Sequence, residues 1–457
     1  MNILLIRTVP KGDVFGAESF LPLGIGYIAA VLEKTGHAVK ILDLTIQKLT
    51  DGQIIEMVIN EKIELVGFSS VTLTVKSAYR IAGLLKEKTN VITVMGGPHA
   101  TALPEEPLLH KLDFVVRGEG EETMQELCAG YKDPGKIAGI SYLHDGKIVH
   151  TASRPYINNL DLLPFPARHL FPPLKLYKGQ QALGNRLPVG NILTSRGCPY
   201  ECTFCFKAVF GRHFRARSVE SVISEWKHLL SVHKVKEISI IDDSFTTSTE
   251  RVMAICKRIV EEKLVLPWCC PNGIRVDNAS FELLSAMRKA GCYRVAFGVE
   301  SGSQRILDSI GKKITLGQIE AAFLNAKKAG IETTAFLMMG NLEEDRETIQ
   351  QTIDFAKKIA PTYVQFLIAI PYPGSLIYEE VKRNGKLMVK DWDEYGEYDE
   401  KFCFEYKKVN AILIDEMYKK AYREYYLRPG YIIKQLFNQN TYRYFGKRAR
   451  AFFRFLK

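Results

Sequence analysis

Three cysteines stand within eight residues, Cys198, Cys202 and Cys205, in the segment Gly197–CPYECTFC–Phe206. The spacing is C-x3-C-x2-C. Thiolates are soft ligands that select iron–sulfur clusters or zinc. Structural zinc sites use paired C-x2-C units with two further ligands, and no second Cys or Cys/His pair stands at a comparable spacing here. Three thiolates on one loop suit an iron–sulfur cubane, with one iron left free for a substrate. Arg196 and Lys207 flank the cysteines and favour their thiolates. The bland alternatives are three buried structural thiols or a structural zinc. Neither explains why the cysteines share a Gly/Pro loop directly after a strand.

The elements that must position this loop follow from the apolar pattern. Residues 1–150 alternate short apolar runs (Asn2–Arg7, Val39–Leu44, Leu65–Ser69, Val91–Met95, Phe114–Arg117) with amphipathic stretches such as Leu23–Thr35 and Val75–Lys88. This alternation implies βαβ units and a parallel sheet covered on both faces. Five units make a doubly wound, Rossmann-like domain with ligands at the carboxyl ends of its strands. Residues 151–186 form a linker, rich in proline and poor in periodicity. Alternation resumes over 187–395, with strands at Gly190–Thr194, Glu237–Ile241, Trp268–Gly273, Arg294–Gly298, Glu332–Met338 and Tyr363–Ile368. Helices are expected from Ser218, Thr249, Asn278, Thr315 and Asp345, with Asn278 and Thr315 as N-caps. Six such units fit a partial (β/α)6 barrel, with its site at the strand ends. Residues 396–457 read as helical.

C-x3-C-x2-C with an aromatic, Phe204, before the last cysteine, placed after the first barrel strand, resembles the radical S-adenosylmethionine superfamily. The resemblance runs on through IDDSFT (Asp242, Asp243), NGIRVD (Arg275), GVESGS (Glu300, Ser301), FLMMGNLEEDRET and PYPGS. It implies a [4Fe–4S] cluster on the three cysteines, whose free iron chelates S-adenosylmethionine. Phe204, Asp242, Asp243, Arg275, Glu300 and Ser301 would contact that ligand, and reduction would release a 5′-deoxyadenosyl radical. Each of these positions also has a local reading: Asp242 and Asp243 as helix caps, Arg275 as an ion-pair partner, Glu300 as a surface carboxylate.

In the first domain two readings compete. Gly24-Ile-Gly26-Tyr-Ile-Ala29 with Asp43 matches a dinucleotide fingerprint. That fingerprint must follow the first strand at once, and here the loop TVPKGDVFGAESFLP intervenes. PLGIGYIAAVLEKTGHAVKILD, GFSSVTLTVKSA, MGGPHATALPEE and VVRGEGEET instead resemble the cobalamin-binding domain that precedes many radical S-adenosylmethionine enzymes. The resemblance implies that the first loop surrounds the corrin and its nucleotide tail, together with Ser69, Ser70, Thr72, Gly96, Gly97, His99, Gly118, Glu119 and Gly120. Glycines there let backbone approach a large planar ligand. The D-x-H-x-x-G string of many cobalamin carriers is absent. No lower cobalt ligand is therefore implied, and His99 reads as a loop residue.

The remaining signals bound the class. Nine cysteines, an odd number, argue against a disulfide framework. MNILLIRTVPKGD lacks the form of a signal peptide. The uncharged run Ile359–Tyr378 holds three prolines and reads as a strand with its following loop. A cytoplasmic enzyme is expected. Residues 428–457 carry eight Lys or Arg and no Asp or Glu, interleaved with Tyr and Phe. Three readings of this tail stay open: peripheral contact with an anionic membrane, RNA binding, and docking on the barrel. No nucleic-acid partner is expected overall. The resemblance implies a cobalamin-dependent methyltransferase of class B, acting on an unactivated carbon of a small or lipid-like substrate. It also implies a one-electron donor of the flavodoxin or ferredoxin type. Radical cyclisation, ring contraction or phosphorus methylation would use the same parts. A methylthiotransferase would need three further cysteines in residues 1–150, which hold only Cys128. A non-catalytic corrinoid carrier or sensor would need no cysteine loop.

Overall fold

The computed structural model describes residues 1–10, 20–177, 186–389, 391–395 and 402–436. Most of the first loop, part of the linker, and residues 437–457 of the basic tail lie outside them.

The first sheet comprises β1 (Asn2–Arg7), β2 (Ala38–Asp43), β3 (Leu65–Ser69), β4 (Ile92–Gly96), β5 (Phe114–Val116), β6 (Ile140–His144) and β7 (Lys147–His150). Its order is β2-β1-β3-β4-β5-β6-β7, parallel through β5. Alternate residues of each strand feed opposite cores. Ile3, Leu5, Leu65, Val94 and Val116 pack with the helices Leu23–Lys34 and Glu121–Gly130. Leu4, Ile6, Val66, Phe68 and Met95 pack with Asp51–Asn60 and Val75–Lys88. Period-two alternation with both faces buried is why these strands read as continuous apolar runs. The doubly wound expectation holds, with one addition. β6 and β7 extend the sheet as an antiparallel hairpin, turned by Asp145 and Gly146, both at positive φ. The strand order reverses between β1 and β3, and a crevice for ligands opens at such a point.

The second sheet is built from β8 (Val189–Ile192), β11 (Glu237–Ile240), β12 (Trp268–Ile274), β13 (Cys292–Glu300), β14 (Glu332–Met339) and β15 (Tyr363–Ile368). All neighbours are parallel in the order β15-β14-β13-β12-β11-β8, and β8 does not pair with β15. The barrel is therefore open on one side. Between β8 and β11 lies a two-stranded ribbon, β9 (Ser195–Arg196) against β10 (Arg215–Ala216). Helices return between strands, capped by Ser218, Ser248, Ser280, Thr315 and Asp345. The expected cap at Asn278 is corrected. Asn278 closes a short turn, and Ser280, in extended conformation, accepts the Leu283 amide at 3.2 Å. Ile359–Tyr378 contains β15 and its loop, and among the described residues no helix is long and apolar enough to cross a membrane.

After the barrel come β16 (Lys386–Leu387), paired with β17 (Phe404–Glu405), and the helices Ala411–Tyr426 and Pro429–Leu436. The first of these helices lies on the barrel, with the Tyr425 hydroxyl donating to the Pro361 carbonyl at 2.8 Å.

The linker is pinned between the two sheets. Arg168, fully buried, donates to the Asn191 carbonyl at 2.6 Å and pairs with Glu225 at 2.5 Å. Glu225 is also held by Arg217. Removing one partner of a buried ionic triad leaves charge uncompensated. Glu225→Ala is therefore expected to destabilise the fold by about 3–5 kcal/mol, read from urea unfolding. A loss below about 1 kcal/mol, the worth of a surface pair, would show that water reaches these arginines.

Candidate functional site

The β9–β10 ribbon clamps the cysteine loop. Gly197 has φ +82°, and a Cβ there would lie 2.2 Å from the His213 carbonyl oxygen, so only glycine fits before Cys198. The Cys198 amide donates to Gly211 (3.3 Å), Thr203 to Ile310 (3.0 Å), and Ile377 to the Thr203 carbonyl (3.1 Å). The loop is thus stitched across the barrel mouth. Tyr200 lies under the Arg275 guanidinium, 3.6 Å from ring centroid to carbon. Cys198 and Cys202 are half-buried and Cys205 is exposed. Phe204 packs on the core.

Protein nevertheless surrounds the thiols. Burial pushes Cys205 up to about 12. Burial also raises Cys202, against the pull of Lys312 and Lys207. Such thiols stay protonated until a metal displaces the proton. Among the described residues no three His, Cys, Asp or Glu side chains converge on one ion. A cubane asks for something else, one thiolate per iron, and three thiols spread along a rigid loop fit that demand.

The other strand-end residues divide into two sets. Asp243 and Glu300 lie toward the cysteine loop. Asp243 is reached by water but flanked by protein; desolvation, then the neighbouring Asp242, push it up to about 6. Glu300, at φ +63°, pairs with buried Lys312 at 2.7 Å. Gly298 makes room for that pair, since a Cβ there would meet Glu300 Oε1 at 2.7 Å and Lys312 Nζ at 2.8 Å. The second set braces. Asp242 accepts from the Thr194 amide (2.6 Å) and from the hydroxyls of Thr194 and Ser195 (both 2.5 Å). It ties the turn after β11 to the residues following β8, and both of its oxygens are engaged in doing so. Arg275 is held by Asp277 (2.8 Å) and the Lys312 carbonyl (3.1 Å). Ser301 bonds Thr352 (3.1 Å) and the Ser303 amide (3.1 Å). Lys312 is the participant that sequence reasoning missed; its only signal is a lysine twelve residues past a strand-end glutamate.

In the first domain an apolar cleft lies where the strand order reverses, between the sheet and the helices Leu23–Lys34 and Glu121–Gly130. It encloses about 790 Å³, part of it open to solvent, and is lined by Leu5, Ile28, Gly67 and Met124 among others. Of the residues expected to meet cobalamin, Ser69, Gly96, Gly97, Gly118, Glu119 and Gly120 line it; Ser70, Thr72 and His99 do not. His99 is buried elsewhere, with Nδ1 3.1 Å from the Thr72 hydroxyl, Nε2 3.5 Å from Glu106, and Trp392 edge-on. Gly67 and Gly120 keep the cleft wide: a Cβ would meet Leu5 at 2.8 Å or Ile28 at 3.0 Å. A mostly apolar cleft with glycine walls suits a large planar ring system approached closely by backbone. The dinucleotide reading finds no support. A Cβ at Gly26 would meet the linker's Pro166 at 3.0 Å, and Asp43 is taken by Arg7 and Tyr177.

The cleft is roofed by Leu193, Arg196, Val209 and Phe210 of the second domain. Arg196, two residues before Cys198, pairs with Glu119 (2.8 Å) and Glu121 (2.5 Å), its guanidinium between the rings of Tyr27 and Phe210. Arg215 joins the same Glu119 at 2.8 Å. The wall of the cleft and the root of the cysteine loop are therefore one structure.

A family model of the B12 binding domain matches residues 17–128, and one of the Radical SAM superfamily matches residues 192–356. The chain is 37% identical over 428 residues to an uncharacterized methyltransferase, PH0819, of Pyrococcus horikoshii, spanning 92% of this chain and 91% of the relative. It is 31% identical over 424 residues to cytidylyl-2-hydroxyethylphosphonate methyltransferase of Streptomyces wedmorensis (80% and 78%). It is 28% identical over 415 residues to an anaerobic magnesium-protoporphyrin IX monomethyl ester cyclase of Rubrivivax gelatinosus (87% and 72%). The fold resembles that of the radical S-adenosylmethionine methyltransferase TsrM from Kitasatospora setae, solved with cobalamin and a [4Fe–4S] cluster (TM-score 0.68, 19% identity, 83% and 78% covered).

One buried carboxyl in the loop after β14 yields a pH test. Glu344 accepts the amides of Gly340 (2.6 Å) and Asn341 (2.9 Å), yet burial pushes it from 4.5 up to about 7. A folded-state pKa above the unfolded one means that the fold holds the proton more tightly. Stability is fully present below about 4.5 and falls as pH rises toward about 7. Denaturant unfolding of the cluster-free protein at pH 5 and pH 8 is expected to show this decline. Glu344→Gln should lessen it, and Asp243, also raised by burial, accounts for part of what remains.

Proposed function

The chain belongs to the cobalamin-dependent radical S-adenosylmethionine family, and on that premise we propose that it is a cytoplasmic methyltransferase acting on an unactivated carbon of a small or lipid-like substrate. Its cofactors are a [4Fe–4S] cluster, S-adenosylmethionine and cobalamin, and it requires a reductant. Together the bound cofactors supply a substrate radical and a methyl group to meet it.

The observation that carries the reading is the shared wall. Arg196 and Phe210 roof the apolar cleft and also anchor the loop of Cys198, Cys202 and Cys205. In this proposal the three cysteines hold the cluster. Phe204 packs behind them. Asp243, and Glu300 with Lys312, face the methionine end of S-adenosylmethionine, while Asp242, Arg275 and Ser301 fix their strand ends. Gly67, Gly96, Gly97, Gly118 and Gly120 admit cobalamin. The domain boundaries proposed are 1–150, 151–186, 187–395 and 396–457. The donor class proposed is a flavodoxin or ferredoxin. A second reading, radical ring closure without net methyl transfer, is favoured by the similarity to the cyclase.

Anaerobic reconstitution with iron, sulfide and cobalamin tests the reading. Expected are cluster absorption, tightly bound corrinoid and dithionite-dependent 5′-deoxyadenosine. Trideuteromethyl S-adenosylmethionine should label the product; cleavage with no label in any product would favour ring closure. A protein with Cys198→Ala, Cys202→Ala and Cys205→Ala that still cleaves S-adenosylmethionine would sink the cluster assignment. The proposal extends to peripheral contact with anionic membranes through residues 428–457. Ile432 and Ile433, exposed on the helix Pro429–Leu436, support it. Failure to bind anionic liposomes at low salt would end that part.

A further inference from the structure

The cysteine loop is ringed by cations, and nearly all of them are matched. Arg196 has Glu119 and Glu121, Arg215 has Glu119, Arg212 and Lys313 share Glu201, and Lys312 has Glu300. Lys207, two residues after Cys205, differs. Its Nζ is buried, and among the described residues it has no hydrogen-bond partner and no carboxylate within ion-pair distance. Its charge acts on Cys202, Cys205 and Asp243. A buried ammonium without a counter-charge is costly, and such groups are found paired.

Among the described residues no carboxylate stands within ion-pair distance of that ammonium, so the anion that would match it is not one of their side chains. A cubane core of charge 2+ on three thiolates is net negative by one, and by two once an electron is added. A cluster on Cys198, Cys202 and Cys205 therefore brings negative charge to where Lys207 waits, and brings more on reduction. Asp243 is a weaker candidate, because water reaches it and it stands outside ion-pair distance.

We propose that Lys207 is the counter-cation of the cluster, its buried ammonium lying against the Cys202 and Cys205 side and favouring the one-electron-reduced state. The electron comes from the external reductant; the cluster is reduced, and Lys207 changes neither bonding nor protonation. Net charge and hydrogen bonds near the sulfurs are established determinants of cluster potential. Lys207 is thus a positioning residue for charge, and it rests on the cluster assignment above.

The test is an EPR-monitored redox titration of the reconstituted wild type, Lys207→Met, Lys207→Gln and Lys207→Arg, with iron content measured alongside. The neutral variants should load iron like the wild type but titrate at a more negative midpoint. The expected change is about tenfold in the reduction equilibrium, about 59 mV for a one-electron couple. Lys207→Arg should stay close to the wild type. Neutral variants that load fully and titrate at the wild-type midpoint would overturn the proposal. If both neutral variants lose the cluster while Lys207→Arg keeps iron and potential, charge is still the cause and the proposal stands. If Lys207→Arg loses it too, the role is steric and the proposal falls. A wild type with no cluster signal is a separate failure, that of the cluster assignment itself.

Discussion

Arg196 is clamped by two carboxylates of the other domain, and much of the molecule depends on that clamp. Its backbone belongs to the ribbon that frames the cysteine loop, and its side chain roofs the apolar cleft. Glu119 lies in the loop after β5 and Glu121 opens the helix that follows, on the side where the first domain presents its ligand face. Charges so deeply buried are tolerable only when paired and well oriented. The clamp is therefore tightly specified: a shift of either domain would strand carboxylates or guanidinium away from water.

Two further straps fix the same relation. The linker crosses with Arg168 locked to Glu225, and with Tyr177 donating to Asp43 at 3.0 Å. On another side, residues after the barrel return to the first domain. Trp392 donates to Glu106 at 2.7 Å, and Lys76 pairs with Asp391 at 2.5 Å. His99 is packed into that return contact. This explains why a histidine at a strand end, in a domain that resembles cobalamin carriers, turns away from the cleft.

Elements with an unambiguous apolar period were the legible ones. β1 and β3, buried on both faces, read as continuous apolar runs, while β15 alternates along its length and the helix Val75–Lys88 buries one stripe; all four begin and end where the pattern says. The cysteine loop was legible because C-x3-C-x2-C has few other uses. Pairings across long sequence separations were not. Nothing near Glu119 announces a partner 77 residues away at Arg196. Nor does IDDSFT reveal that Asp242 is spent on Thr194 and Ser195 while the adjacent Asp243 remains open. Both lie past the end of β11, and the bend there turns one carboxyl into hydrogen bonds and leaves the next toward solvent. The hairpin β6–β7 does carry a sequence signal, the Asp145–Gly146 dipeptide between two short runs.

Buried and exposed contacts between the two domains respond differently to ionic strength. Arg196, Glu119 and Glu121 are almost fully hidden, so mobile ions cannot enter between them and screening leaves them intact. Lys76 and Asp391 are more than two-fifths exposed, and salt weakens such pairs. Concentrated salt would therefore loosen the return strap while leaving the cleft and the cysteine loop in register, so the geometry between the two cofactor sites is insulated from the ionic composition of its surroundings.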